Sequence, residues 1–151
     1  MAAVVTTGTG KIALRLTRRF AAPRQKVFDA WTRPEALKQW WCPSGWIPGR
    51  FEVDLRVGGA YSLEMRHADS GAVVSINGRF LEVHPPTRLA YTWRWHGAFD
   101  GMAETQVTVE FLAIAQGTEV IVLHENFPDV RLWHRHRSGW IAACDRMERI
   151  L

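Results

Sequence analysis

From residue 50 to residue 127 the chain alternates apolar and polar side chains through one segment after another, with a turn signal behind each. "RFEVDLRVGG" sets Phe51, Val53 and Leu55 in one phase and breaks at Gly58-Gly59. "AYSLEMRH" repeats the pattern with Tyr61, Leu63 and Met65. "AVVSINGRFLEVHPP" reads as a long strand in which Gly78 marks a bulge or sharp bend, closed by Pro85-Pro86. "TRLAYTWRWH" offers Leu89, Tyr91, Trp93 and Trp95, and a loop, "GAFDGM", follows. "ETQVTVEFLAI" offers Val107, Val109 and Phe111; after the turn "AQG", "TEVIVLHENF" is the last strand. A period of two is the mark of a strand with one buried face. A meander of such strands must cover that face with something.

The cover is at the C-terminus. Pro128 opens a segment in which Trp133, Trp140, Cys144, Met147 and Leu151 fall on one helical stripe. This predicts a helix from about 128 to 151. Upstream, "KIALRLTRRF" alternates as a first strand. Two short helices then follow, one after Pro23 carrying Val27, Phe28 and Trp31, and one opened by Pro34 carrying Leu37, Trp40 and Trp41. Pro43, Gly45, Pro48 and Gly49 predict a loop. The expected fold class is α+β: a curved antiparallel sheet of about seven strands wrapped around a long C-terminal helix, with two short helices after the first strand. Residues 1–10 are small and polar and are expected to be a flexible N-terminus, leaving 11–151 as a single domain.

The chain has 151 residues, enough for a core that needs no disulfide or metal staple. Its two cysteines, Cys42 and Cys144, form no CxxC pair, and no zinc spacing is present. No metal is expected. The net charge of +4 is spread over scattered arginines, without a zinc-finger or ribonucleoprotein-type signature, which argues against nucleic-acid binding. The N-terminus lacks the pattern of a signal peptide, and no apolar run reaches transmembrane length. The expectation is a cytoplasmic protein that does not insert into membranes. Oligomeric state stays open, a homodimer included.

Tryptophan is the unusual component, with eight copies, three of them in "LKQWWCPSGW". Adjacent helical residues point about 100° apart, so Trp40 and Trp41 are expected to do different jobs. One packs the core; the other, with Trp46, suits the mouth of a pocket. The "HRH" at 134–136 cannot chelate one ion from a helix, because positions i and i+2 face nearly opposite ways. The stripe places His136 toward the sheet and His134 toward solvent. No nucleophile elbow, phosphate loop or dinucleotide fingerprint occurs, and no cofactor is expected.

The segments "FAAPRQKVFDAWTRPEALKQWW", "DLRVGGAYSLEM", "NGRFLEVHPPTRLAYTWRW", "TVEF", "GTEVIVLHENF" and "HRSGWIAACDRMERIL" occur in that order. Together they resemble the bacterial single-domain members of the activator of heat-shock-protein-90 ATPase homologue-like family, within the START-related, birch-pollen-allergen-like (SRPBCC) superfamily. The resemblance implies a helix-grip fold, a sheet of seven strands around the C-terminal helix with an apolar cavity between them. It implies binding of a small hydrophobic ligand of lipid, polyketide or aromatic type. The chain is too short for the extra chaperone-binding domain of the eukaryotic co-chaperone, so a chaperone partner is discounted.

Strand phase and helical stripe together nominate Trp41, Tyr61, Met65, Trp93, Phe111, His124, Trp133, His136 and Trp140 as ligand-binding residues. Binding is favoured over catalysis because no catalytic constellation is visible. The alternatives are a cyclase- or hydrolase-like enzyme using His124 and His136, and a chaperone-interaction module that would need a large exposed apolar patch.

Overall fold

The computed structural model describes the backbone of residues 2–6 and, in full, residues 11–97 and 103–151. Eight strands form one sheet: β1 (Ala2–Thr6), β2 (Ile12–Phe20), β3 (Trp46–Val53), β4 (Ala60–His67), β5 (Val73–His84), β6 (Arg88–Gly97), β7 (Thr105–Ile114) and β8 (Gly117–Phe127). The helices are α1 (Arg24–Thr32), α2 (Pro34–Trp40) and α3 (Val130–Ile150). The sheet order is β1-β2-β8-β7-β6-β5-β4-β3, and each neighbouring pair is antiparallel. The curved sheet grips α3, as the alternating segments and the terminal stripe require. Residues 2–6, assigned from sequence to a flexible terminus, pair along β2 as an edge strand. Residues 7–10, and the expected loop beyond Gly97, lie outside the described residues.

Pro34 explains why there are two short helices. A residue before proline is pushed out of the α region, and Arg33 sits at φ −87°, ψ 127°. The chain turns there, and α2 restarts with proline in its first turn. Helix α3 begins at Val130, later than the sequence suggested. Its cap is Asp129, whose carboxylate accepts from the Leu132 N–H at 2.9 Å.

Strand β3 starts at Trp46, inside the expected loop. It pairs only with β4 and is an edge strand, where Pro48 costs little because its missing N–H faces no partner. The register shifts between Pro48 and Phe51. In β5 the register shifts between Phe80 and Glu82, while Gly78 itself stays in register. Gly78 is needed for another reason: a Cβ there would overlap the Thr92 carbonyl oxygen and lie 2.7 Å from Cε1 of Tyr61.

The core joins all layers. Leu14, Val27, Phe28, Trp40, Phe111 and Met147 are among its fully buried members. Arg18 on β2 ties the sheet to α3, bonding Asp145 at 2.6 Å and Glu148 at 3.0 Å. Among the described residues no helix is long and apolar enough to cross a membrane.

Candidate functional site

Between α3 and the sheet lies a cavity of about 240 Å³. Helix α3 supplies its roof through Arg135, His136, Gly139, Trp140, Ala143 and Arg146. The sheet side is built by Met65 on β4 and by Trp93 and Trp95 on β6. Trp41, Pro43 and Trp46 close it from the end of α2 and the start of β3. The two adjacent tryptophans part as helical geometry demands. Trp40 is 1% exposed and donates its indole N–H to the Ala30 carbonyl at 2.8 Å. Trp41 is half-buried and stands on the cavity wall.

Small residues keep the roof open. Gly139, Ala142 and Ala143 follow one another at helical spacing along α3, and all three border the cavity. A Cβ at Gly139 would meet nothing within 4 Å. No backbone strain or close approach demands glycine there, although glycine weakens a helix interior.

Two histidines, His136 in the wall and His124 behind it, are held by tryptophans. An indole N–H can only donate. Trp140 donates to Nδ1 of His124 at 3.1 Å, so the proton of His124 is on Nε2, 2.7 Å from the Thr105 hydroxyl. That hydroxyl in turn donates to the Trp93 carbonyl at 3.3 Å. Trp95 donates to Nε2 of His136 at 3.1 Å, and Nδ1–H of His136 donates to the Leu132 carbonyl at 2.8 Å. The imidazoles lie edge to face, 5.1 Å apart. Both are buried, and burial pushes both below the ordinary value of 6.5; at His136 the bond to the Leu132 carbonyl partly offsets this and the Arg135 charge adds to it. Each ring is therefore a neutral structural acceptor.

Five of the nine residues nominated from sequence, Trp41, Met65, Trp93, His136 and Trp140, border this cavity. Tyr61 borders a second void of about 30 Å³, shared with Trp41, Trp93 and Trp140, which stand between the two spaces. Its hydroxyl donates to the Thr92 carbonyl at 2.5 Å. His124 lies behind Trp93, with ring centroids 5.0 Å apart. Phe111 packs elsewhere in the core, 5.2 Å from Phe28 and 5.7 Å from Trp31. Trp133 is buried beside His134 and borders neither space.

Sequence reasoning passed over Trp95, Arg135, Gly139, Ala142, Ala143 and Arg146. The signals available were the place of Trp95 in the apolar phase of its strand and, for the helix residues, a glycine in the middle of an amphipathic helix. Cys42, although close by, is held as a thiol, since burial pushes it up to about 11. Among the described residues no group of three or more metal-ligating side chains gathers.

Residues 21–151 match the family model described as "Activator of Hsp90 ATPase homolog 1-like protein". The chain belongs to that family. Bacterial proteins are among its structural relatives. Protein CV1439 from Chromobacterium violaceum is 30% identical, with a TM-score of 0.82 over 92% of this chain and 96% of its own. Protein NE0264 from Nitrosomonas europaea is 29% identical, with a TM-score of 0.77 over 92% and 93%. The AHSA1 protein SPO3351 from Silicibacter pomeroyi is 27% identical, with a TM-score of 0.79 over 91% and 95%. No curated protein matches the chain. The family places this helix-grip domain in the SRPBCC superfamily, whose fold commonly binds hydrophobic ligands.

Proposed function

We propose that this family member binds a small aromatic or otherwise apolar molecule between α3 and the sheet, with Trp41, Met65, Trp93, His136 and Trp140 in its wall. The observation that carries this reading is the cavity itself, walled chiefly by tryptophan, methionine and alanine. An apolar space of this kind favours an apolar occupant, because transferring such a molecule out of water gains roughly 25 cal/mol per Å² of buried apolar surface. The cavity is smaller than the usual range of about 300–1,000 Å³ for drug-sized ligands. Its occupant is accordingly one or two rings in size rather than a sterol or a long lipid.

Binding is preferred to catalysis for a chemical reason. Both nitrogens of His124 and both of His136 are engaged within the protein. A general base needs a free lone pair within reach of the substrate proton, and here the indole donors occupy those lone pairs.

The test is a titration of the protein with neutral aromatics, naphthalene and 2-naphthol, read by tryptophan emission. Saturable quenching with one-site stoichiometry is expected, because Trp41, Trp93, Trp95 and Trp140 would touch the ligand. Quenching that stays linear, with the same slope as for the urea-unfolded chain, would remove the binding reading.

A further inference from the structure

The charged side chains that line the cavity are all of one sign. Among its lining residues are two arginines, Arg135 and Arg146, and no aspartate or glutamate. Arg146 is the more deeply set of the two. Its Nε donates to the Trp40 carbonyl at 2.7 Å and its Nη2 to the Trp41 carbonyl at 3.2 Å. Those carbonyls belong to the C-terminal end of α2, where a cation is well placed to satisfy unpaired acceptors. The guanidinium is thus anchored to the chain segment that carries Trp41, the residue at the cavity's end.

Two carbonyl oxygens do not neutralise a guanidinium. Among the described residues no carboxylate lies within ion-pair distance of Arg146. Its sequence neighbour Asp145 is bonded to Arg18. Further donors of Arg146, including both on Nη1, make no hydrogen bond among the described residues. Burial lowers the pKa of Arg146 below its ordinary value, as expected for a partly desolvated cation. The charge of Arg135 likewise reaches the cavity, since it helps to lower His136. Trp93, also in the wall, has an unpartnered indole N–H, but that nitrogen is buried. The indole N–H groups of Trp95 and Trp140 are spent on the histidines. An occupant with one polar end gains most by placing that end at the arginines and its apolar body among the tryptophans.

We propose that the cavity takes its ligand as an anion: an aromatic carboxylate of one or two rings, with the ring between Trp41, Trp93 and Trp140 and the carboxylate on the free edge of Arg146. This rests on the apolar-ligand reading above and adds the ligand's charge and orientation. Guanidinium and carboxylate match as planar, paired donors and acceptors, and such charge-assisted bonds are the strong ones. The arrangement also predicts exclusion. A cationic amine of the same shape would meet the like charge of Arg146.

The experiment compares three probes of equal size, 2-naphthoate, 2-naphthamide and 2-naphthylmethylammonium, by calorimetric titration at low and at moderate salt. At low salt naphthoate is expected to bind roughly tenfold more tightly than naphthamide, with the ammonium compound weakest. The acid's advantage shrinks as salt rises, because the rim charges are screened. Arg146→Gln should remove the advantage, bringing the acid's affinity down to that of the amide measured on the same variant. Arg135→Gln, at an exposed helix position, should reduce it by a smaller factor. Because Arg146 also braces α2, Arg146→Lys and a melting curve for each variant separate lost charge recognition from lost fold. If amide and acid bind equally, the anion proposal falls and the apolar-ligand reading stands. If Arg146→Gln weakens amide and acid alike without a lower melting temperature, the role given to Arg146 falls. If none of the three binds, both readings fall together.

Discussion

Trp140 donates its indole N–H to Nδ1 of His124 across 3.1 Å, and that bond decides which nitrogen of a fully buried histidine carries the proton. Trp93 packs against both partners, 5.0 Å from His124 and 5.7 Å from Trp140 by ring centroid, yet its own indole nitrogen is buried with no hydrogen-bond partner. Two neighbouring tryptophans of equal size therefore differ in one physical respect.

That difference makes a prediction about paired substitutions. Trp140→Phe and Trp93→Phe remove similar volumes. Only the first strands a buried acceptor, Nδ1 of His124, while the second deletes a donor that was already unpaired. An unsatisfied buried polar group costs roughly 1–3 kcal/mol. Trp140→Phe should therefore be the more destabilising of the two by about 1–2 kcal/mol in urea denaturation. Equal losses, or a larger loss at Trp93, would mean that the tryptophan–histidine bond contributes nothing net.

Burial of the two histidines makes stability depend on pH. Folding holds His124 and His136 below the ordinary value of 6.5, chiefly through burial. As pH falls through 6.5, the unfolded chain takes up protons at these two sites before the folded chain does. The side that binds more protons gains, so the folded state loses stability. The groups facing these rings are Thr105, Trp93, Trp95, Trp140, Phe127, Arg135 and the Leu132 carbonyl, and none is a carboxylate that would hold the added charge. Urea midpoints measured from about pH 7.5 down to about pH 5 should be level above the histidine range and fall below it. A profile that rises on acidification would contradict neutral burial of these rings.

The fold was legible because both of its periodicities are long and uninterrupted. Tyr61, Leu63 and Met65 on β4 and Val107, Val109 and Phe111 on β7 are all buried, as period two requires. The site was less legible because one buried face serves two purposes. Alternation says which side of the sheet Phe111 points to, but not how far along the sheet it sits. It lies at the end packed by α1, away from the cavity. The start of β3 was hidden by Pro48 and Gly49, whose loop-like character an edge strand tolerates. Arg146 was hidden because its partners are backbone carbonyls of α2, over a hundred positions away in sequence. Such a contact leaves no pattern in residue spacing.

Gly78 provides a strict test of the strand geometry on which the cavity depends. Its Cα lies against the Thr92 carbonyl and the Tyr61 ring, so a methyl group has nowhere to go. Gly78→Ala should force β5 away from β6 and cost at least ~2 kcal/mol, at the severe end for a single methyl. Exposed Gly71, in a turn with φ +74° and open space around it, is the contrasting site. Alanine there carries only the local cost of left-handed backbone, about 1–2 kcal/mol. Thermal melting of the two variants ranks them. A Gly78→Ala variant as stable as the parent would show that the sheet does not close as tightly as described.

Gly139 makes the opposite prediction, and it tests the cavity directly. Glycine in a helix interior is destabilising by roughly 0.5–1 kcal/mol relative to alanine. Gly139 is exposed, and a Cβ there would meet nothing within 4 Å, so no close packing contact offsets that cost. Gly139→Ala should thus stabilise the protein by about that amount and raise its melting temperature. Gly139→Phe should fold as well as the parent, because the ring has open space beside it on the cavity's roof. It should nonetheless abolish saturable quenching by naphthalene and 2-naphthol, since the new ring takes the space those molecules need. Folding and binding are then separated in one residue: a variant that melts normally and no longer binds puts the ligand in the cavity under α3. A Gly139→Phe protein that still binds both aromatics with parental affinity would place their site elsewhere on the molecule.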